Sequence, residues 1–513
     1  MKIVSAAQMK ALDLYAIGKL GIPALTLMER AGEAVAEEVF RLLYDYPGAV
    51  VALCGKGNNG GDGLVAARLL HEAGHDVHAI LPFSLESLSD EARAQYAHAQ
   101  EAGVAIDPTI EDAELAEAGV VIDALLGTGV TGAVGGALGE IITRVNKLRG
   151  GRGVLAVDLP SGVNADTGAI AGPAIRAEAT VTMALPKPCL VLYPGALQAG
   201  QWRVADIGYP QTMIEAIQPL AEVTDRAQAV SWMPYRPPTA YKGSVGYALL
   251  ICGSFGMTGA AAMAATSAYR SGAGLVYLAL PASLVPALNA VLTEVVFRPM
   301  PATQAGTLSF KAVKALLAEA SQVQATLLGP GLSRNAATQN AIRHIVARWP
   351  GPLVVDADAL TAMAGHDALW QARQAPTIIT PHPGEMARLL GRSVAECEED
   401  RIGTAKQAAK RFNAVTVFKG APTVIASPRG EACVNPTGNA GLAVAGTGDT
   451  LAGSIVALLA QGCAPLHAAV LGCYLGGLAA EIAADELGLH GMTALDLSEA
   501  IPLAMKELAT KVG

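Results

Sequence analysis

The stretch Asn435-Pro-Thr-Gly-Asn-Ala-Gly-Leu-Ala-Val-Ala-Gly-Thr-Gly-Asp-Thr-Leu-Ala-Gly453 decides how the chain is read. Just before it, Thr416-Val-Phe418 reads as a short buried strand, and Lys419-Gly-Ala-Pro-Thr423 follows directly. Gly446-Thr-Gly448 leads into an apolar run that predicts a helix from about Thr450 to Leu459. Small residues let backbone approach a ligand closely, and the free N–H groups of a first helical turn form an anion site. Asp449 puts a carboxylate there. That is odd if phosphate is only held, and sensible if phosphate is transferred, because a hydroxyl must then lose its proton nearby. On the residues alone two roles stay open for Asp449: general base, or simple N-cap of the helix.

The rest of the composition narrows the class. A chain of 513 residues exceeds one typical core, so two domains are expected. Hydrophobic residues make up 52% and charged residues 16%, which gives ample burial and argues against disorder. The 56 glycines point to many tight strand-to-helix turns. Aromatics at 4% and a net charge of −9 argue against a nucleic-acid partner, which needs a basic face and often stacking rings. Seven cysteines with no Cys-x-x-Cys read as reduced core residues of a cytoplasmic protein, with no zinc site. The N-terminus lacks a signal-peptide core. The most membrane-like run, Ala464 to Ala484, contains Pro465, His467 and Glu481 and reads as a buried helix, so no membrane partner is expected.

From the start of the chain, Met28, Gly32, Val35, Val39 and Leu42 share one face and predict a helix over 24–44. A strand, Ala49 to Cys54, runs into Gly55-Lys-Gly-Asn-Asn-Gly-Gly-Asp-Gly63, read as a loop before a helix from Leu64 to Glu72. Two further strands, Val120 to Ile122 and Val154 to Val157, end on Asp123 and Asp158. Strands alternating with helices imply a parallel sheet with ligands at the strands' carboxyl ends, so these three loops should open into one crevice. Prolines 219, 234, 237 and 238 place a boundary near residue 222. A second strand-helix series follows, with strands at Tyr247–Cys252, Leu275–Leu280, Thr326–Leu328, Leu353–Val355 and Thr377–Ile379.

Gly55-x-Gly57-x-x-Gly60 formally matches a dinucleotide fingerprint, but no acidic residue ends the next strand, and Asp62 sits where pyrophosphate would be received. Asn58, Asn59, Asp123 and Asp158 instead offer oxygen ligands that could hold a cation. The nine-residue loop, with Asp123-Ala-Leu-Leu-Gly-Thr-Gly129 and Asp158-Leu-Pro-Ser-Gly162, resembles NAD(P)H-hydrate epimerases over about residues 5–210. That resemblance implies a potassium ion on Asn59, Asp123 and Ser161. It also implies contacts to the hydrated nucleotide from Asn58, Asn59, Gly60, Gly61, Asp62, Gly127, Thr128, Gly129, Val130, Thr131, Gly132, Ala133 and Asp158. Asp158 is the candidate acid/base for inversion at C6.

The opening stretch, with Gly253-Ser-Phe-Gly-Met-Thr-Gly259, Leu328-Gly-Pro-Gly-Leu332, Val355-Asp-Ala-Asp-Ala-Leu360 and Thr380-Pro-His-Pro-Gly-Glu385, resembles the ribokinase-like ADP-dependent NAD(P)H-hydrate dehydratases over about residues 223–508. The resemblance implies that Ala260, Gly331, His382 and Asp449 contact the hydrated nucleotide. It implies that Lys419, Gly420, Ala421, Pro422, Thr423 and Gly448 hold the adenine nucleotide, with Asp449 catalytic. Asp356 and Asp358 suit either magnesium support or a turn.

The expected fold is α/β: an N-terminal Rossmann-like parallel-sheet domain, residues 1–222, then a ribokinase-like α/β domain, residues 223–513. The expected activity is bifunctional. It epimerises R and S hydrates of NADH and NADPH and dehydrates the S form while converting ADP to AMP and phosphate. Potassium serves the first half, and magnesium accompanies ADP as co-substrate in the second. A homo-oligomer is the expected assembly. The competing readings are a ribokinase-class small-molecule kinase fused to a non-catalytic nucleotide-binding domain, and, further off, a dehydrogenase.

Overall fold

Seven short, largely apolar runs, most of them separated by helices, lie along the first 220 residues and pair as one parallel sheet. The computed structural model describes residues 1–109, 111–148 and 150–510. Two compact units emerge, Lys2–Leu220 and the chain from Ala221 onward together with Met1.

In the first unit the sheet strands are β1 (Ala49–Cys54), β2 (Val77–Ile80), β3 (Ala105–Asp107), β4 (Ala118–Ala124), β5 (Gly153–Val157), β6 (Ala179–Met183) and β7 (Gln201–Ala205). Their order is β3-β2-β1-β4-β5-β6-β7, all parallel. The order reverses direction between β1 and β4, and a doubly wound sheet opens a crevice at the carboxyl ends of such a pair. Cys54 and Ala124 end those two strands. Helix α1 (Ala24–Asp45) buries Leu27, Met28, Ala31, Val35 and Val39 on the sheet side. Helix α2 (Asn58–Glu72) starts earlier than the sequence suggests: Gly57 is its N-cap, so Asn58 to Asp62 are helical rather than loop. Helix α3 (Gly136–Leu148) covers the other face through Ile141, Ile142 and Val145.

The second unit contains β8 (Ala221–Val223), β9 (Tyr247–Ile251), β10 (Leu275–Pro281), β11 (Val296–Met300), β12 (Ala325–Leu328), β13 (Leu353–Val355), β14 (Thr377–Ile379), β15 (Val415–Phe418), β16 (Val424–Ala426) and β17 (Ala432–Val434). Within this unit they run β8-β17-β16-β15-β14-β13-β12-β9-β10-β11. Pairing is parallel except at β15/β16 and β16/β17. The reversal lies between β9 and β12, whose ends carry Gly253 and Gly329–Gly331.

The helices that frame this crevice are α4 (Thr258–Arg270), α5 (Pro383–Leu390), α6 (Arg401–Phe412), α7 (Thr447–Ala460), α8 (Pro465–Leu487) and α9 (Ala494–Ala509). Helices α4 and α7 approach until a Cβ on Gly453 would fall 2.2 Å from the Ala264 carbonyl oxygen, so only glycine closes that crossing. Helix α8 is long and apolar enough to cross a membrane, with mean hydropathy 1.5, yet most of its apolar side chains are packed in the core.

Candidate functional sites

In the first unit the glycine-rich turn after β1 is shaped first by packing. A Cβ on Gly60 would lie 1.8 Å from the Gly55 carbonyl oxygen, one on Gly61 2.6 Å from Met28 Sδ, and one on Gly63 2.5 Å from Ala124 Cβ. Strand, turn and helix therefore close only with hydrogen at these positions, which brings Asn58 and Asn59 over the end of β4. Asn59 Nδ2 donates to the Leu126 carbonyl at 3.1 Å, and exposed Asn58 accepts from Ser89 Oγ at 3.2 Å.

Asp123, fully buried, accepts at Oδ1 from Ser161 Oγ (2.6 Å) and at Oδ2 from the Ser161 N–H (2.7 Å). The Leu126 N–H in turn donates to Ser161 Oγ at 2.9 Å. Asn59, Asp123 and Ser161 thus gather around Leu126. Burial pushes the Asp123 carboxyl up to about 6, against the pull of its hydrogen bonds from Ser161 and Leu125. Among the described residues no three His, Cys, Asp or Glu side chains form a metal cluster. One carboxylate with neutral oxygens is a donor set for a hard, weakly charged cation.

The segment Gly127 to Ala133 forms a loop above this point. Gly127 stands over Asn59, where a Cβ would be 3.5 Å from Asn59 Cβ, and Asn164 Nδ2 holds the Val130 carbonyl at 3.2 Å. Thr128 and Val130 are half-buried, while Gly129, Thr131, Gly132 and Ala133 are exposed.

Asp158 ends β5 with φ of +64°, a conformation unusual for a residue with a Cβ. Its Oδ1 accepts from Thr182 Oγ1 (3.1 Å) and the Met183 N–H (3.1 Å), and pairs with the Lys187 ammonium. Lys187 is wholly buried and also reaches Thr182 Oγ1 and the Met183 carbonyl, each at 3.2 Å. Sequence reasoning missed Lys187; the one available signal was a lysine inside the apolar run Ala184-Leu-Pro-Lys-Pro-Cys189. Asp62 is half-buried and does not cap its helix, since Gly57 does. Burial, then the charge of Asp158, pushes its carboxyl well up. Asp13, hydrogen-bonded by the Tyr209 hydroxyl, is also raised, chiefly by burial.

In the second unit Gly446, with φ of +97°, is the N-cap of α7, and it packs where a Cβ would strike Met263 Sδ at 2.4 Å. The helix starts at Thr447, so Asp449 lies in the first turn and makes no capping bond. This removes the cap reading. Thr447 Oγ1 pins the turn through the Leu442 and Val444 carbonyls, at 3.1 and 3.0 Å. Half-buried Asp449 receives no hydrogen bond from the described residues. Burial and then Asp356 raise its carboxyl to about 6, with Asp358 and Glu385 adding and Lys419 opposing.

Lys419 Nζ holds Asp356 Oδ1 at 2.9 Å and lies 3.3 Å from where a Gly448 Cβ would be. The loop behind it is fixed by buried Arg401 of α6, which donates to the Phe418 and Lys419 carbonyls at 3.1 and 3.0 Å and stacks on the Phe418 ring. A Cβ on Gly420 would meet that guanidinium at 2.5 Å. Ala421 and Pro422 follow, and Thr423 Oγ1 closes the turn on the Gly420 carbonyl at 3.1 Å.

His382 caps α5. Its Nδ1 accepts from the Gly384 N–H at 3.1 Å, and its backbone N–H donates to Glu385 Oε2 at 2.9 Å. Burial and then Lys419 lower its pKa, so the ring is neutral with its proton on Nε2. Ala260 and Gly331 meet across the β9/β12 crevice, where a Gly331 Cβ would be 3.1 Å from Ala260 Cβ, and Ser254 Oγ donates to the Gly331 carbonyl at 2.7 Å. Asp358 accepts from the Ser333 N–H at 2.8 Å. Asn435, Thr437 and Asn439 instead bond the Cys473, Tyr474 and Ala480 carbonyls of α8, so that part of the opening stretch anchors the site rather than lining it.

A family profile for NAD(P)H-hydrate dehydratase matches residues 248–503, and one for the YjeF-related protein N-terminus matches residues 24–189. The bifunctional NAD(P)H-hydrate repair enzyme Nnr of Moorella thermoacetica is 41% identical over 521 residues, spanning 100% of this chain and 98% of that protein. Its Escherichia coli counterpart of the same name is 36% identical, spanning 93% of this chain and 89% of its own length. Among solved structures, an ADP/ATP-dependent NAD(P)H-hydrate dehydratase from Bacillus subtilis, co-crystallised with ATP/Mg2+, is 33% identical with a TM-score of 0.49, spanning 56% of this chain and 99% of its own. This chain belongs to the family of bifunctional NAD(P)H-hydrate repair enzymes.

Proposed function

We propose that residues 1–222 invert C6 of hydrated NADH and NADPH, and that residues 223–513 dehydrate the S form at the expense of ADP. Family membership makes the chain an isomerase and a lyase in one polypeptide; the division of labour, residue roles and cofactors are the proposal. The observation that carries it is Asp449: a carboxyl raised to about 6 that accepts no hydrogen bond from the described residues, in the first turn of a helix with no side-chain cap, near the Lys419 ammonium.

In the second unit Asp449 takes the proton of the C6 hydroxyl, which attacks the terminal phosphate of ADP. The amides of Gly446 to Gly448 and the Lys419 ammonium stabilise the moving phosphoryl group. AMP leaves. The ring nitrogen lone pair expels phosphate from C6, and loss of a C5 proton restores NADH or NADPH. Lys419 to Thr423 and Gly448 hold the adenine nucleotide, while Ala260, Gly331 and His382 line the nicotinamide side. The surplus of carboxylates at Asp356, Asp358, Glu385 and Asp449 over Lys419 fits a magnesium ion. Asp356 and Asp358 would hold it, and it would supply countercharge to the phosphates.

In the first unit the C6 hydroxyl leaves as water and water returns to the opposite face, one proton entering and one leaving, with Asp158 as acid/base. Asn58 to Asp62 and Gly127 to Ala133 bind the nucleotide. A buried carboxylate whose hydrogen-bond partners are Ser161 and Leu125 fits potassium, held by Asn59, Asp123 and Ser161 and supplying charge balance beneath the substrate. The cytoplasm is the proposed compartment, supported by seven free thiols, and a homo-oligomer the proposed assembly.

The test is a mixture of R and S hydrates with ADP and magnesium, followed by reduced-nicotinamide absorbance in the near ultraviolet. Recovery beyond the S fraction requires both activities. Recovery that stops at the S fraction removes epimerisation from the proposal, and none at all removes dehydration.

A further inference from the structure

We infer that Lys187 is a positioning residue of the epimerase site, fixing Asp158 as the group that accepts a proton during inversion at C6. The inference rests on the reading of Asp158 given above and extends it to a residue outside every motif quoted. A fully buried lysine is costly unless its charge is met, and here all three donors of the ammonium are used, on Asp158 Oδ1, Thr182 Oγ1 and the Met183 carbonyl.

The pairing is also one-sided. Thr182 Oγ1, the Met183 N–H and Lys187 all converge on Oδ1, so Oδ2 carries no bond from the described residues and is left to exchange protons. The backbone points the same way, since Asp158 is held at φ of +64° and the ion pair clamps the side chain in that strained position. The other titratable groups around it are Asp13 on the N-terminal helix, Asp62 on α2, Tyr209 and Cys189. Each is shifted toward its neutral form, chiefly by burial.

The experiment measures epimerisation of pure S hydrate against pH for the full chain and for Lys187→Met, Lys187→Gln and Lys187→Arg. ADP-driven dehydration of the same preparations reports whether the other half remains intact, and melting curves report the fold. Loss of the countercharge should lower kcat about 10²-fold at neutral pH and move the acid limb of the profile up by about one pH unit or more, with KM nearly unchanged. Lys187→Arg, which keeps the charge, should keep the acid limb near that of the wild type. A folded Met or Gln variant with its acid limb unmoved overturns the inference, whatever its rate. If Met and Gln both fail to fold, an Arg variant whose limb moves as far overturns it as well, and one whose limb stays supports it. Full epimerisation by Asp158→Asn would instead defeat the underlying reading of Asp158, a distinct outcome.

Discussion

Lys419 grips the Asp356 carboxylate with its ammonium at 2.9 Å and stands beside Gly448, one residue before Asp449. The pair sits at the meeting point of β13, β15 and the first turn of α7. Asp356 is one of the charges that keep the Asp449 carboxyl near 6, although burial contributes more.

Asp356→Asn should therefore move the acid limb of dehydration downward, by up to about one pH unit, because one repelling charge beside the base is gone. The rate itself should fall, since Lys419 loses its anchor. Dehydratase kcat/KM of the full chain from pH 5 to 8 checks this, and an acid limb displaced upward would contradict it.

Gly60→Ala tests packing rather than chemistry. Its Cβ would fall 1.8 Å from the Gly55 carbonyl, a clash with backbone that no rotamer relieves. A loss of about 3 kcal/mol or more in the stability of the first unit is expected, at the upper end of overpacking costs. Denaturant unfolding measures it, and epimerisation should be lost while dehydration persists.

What could be read from the sequence follows from length and periodicity. Strands of four or more apolar residues, such as Ala49–Cys54, and the amphipathic helix at 24–45 declare themselves. Val424–Ala426 and Ala432–Val434 are too short for a period-two signal, and their antiparallel pairing depends on a turn at Ser427–Gly430. Helices α2 and α7 start earlier than their apolar patterns indicate, because Gly57 and Gly446 act as N-caps without a side chain, and the Ser/Thr/Asp signal of an N-terminus is missing. Motif residues such as Asp123 and Lys419 were visible in their strand-end loops. Lys187 and Arg401 were not, because the contact that matters for each lies well along the chain: Asp158 for the first, the Phe418 and Lys419 carbonyls for the second.

Potassium should stabilise the protein in a pH-dependent manner. The Asp123 carboxyl is raised from its ordinary value of 3.8 to about 6, so without a bound ion its contribution to stability is present below about 3.8 and is lost as pH rises through 6. A cation binds the anionic form, so potassium stabilisation should be small at pH 5 and full by pH 7.5. Mass action sets its size at about 2.7 kcal/mol when potassium exceeds Kd a hundredfold. Melting temperature of the first unit, with potassium against tetramethylammonium at both pH values, measures it. Asp123→Asn should abolish the dependence and raise ion-free stability at pH 7.5. An equal potassium effect at both pH values would remove Asp123 from the site.

Asp449→Asn separates chemistry from structure most cleanly. The side chain makes no capping bond and accepts no hydrogen bond from the described residues, and the replacement is nearly isosteric, so stability should change by less than about 1 kcal/mol. Removing a buried charge that sits near three other carboxylates favours the folded state, if anything. Dehydration should nevertheless fall by about 10²- to 10⁴-fold, the usual contribution of a general base. In the wild type the rate should be full above about pH 6 and decline as pH drops below it, because the base must be ionised. The residual rate of the variant should lack that limb. ADP affinity should persist or tighten, since Lys419 and the Gly446 to Gly448 amides remain and a repelling charge is gone. Epimerisation should be unaffected. Calorimetric ADP binding and single-turnover dehydration of S hydrate in one folded preparation decide the matter, and near-wild-type turnover would reject Asp449 as the base.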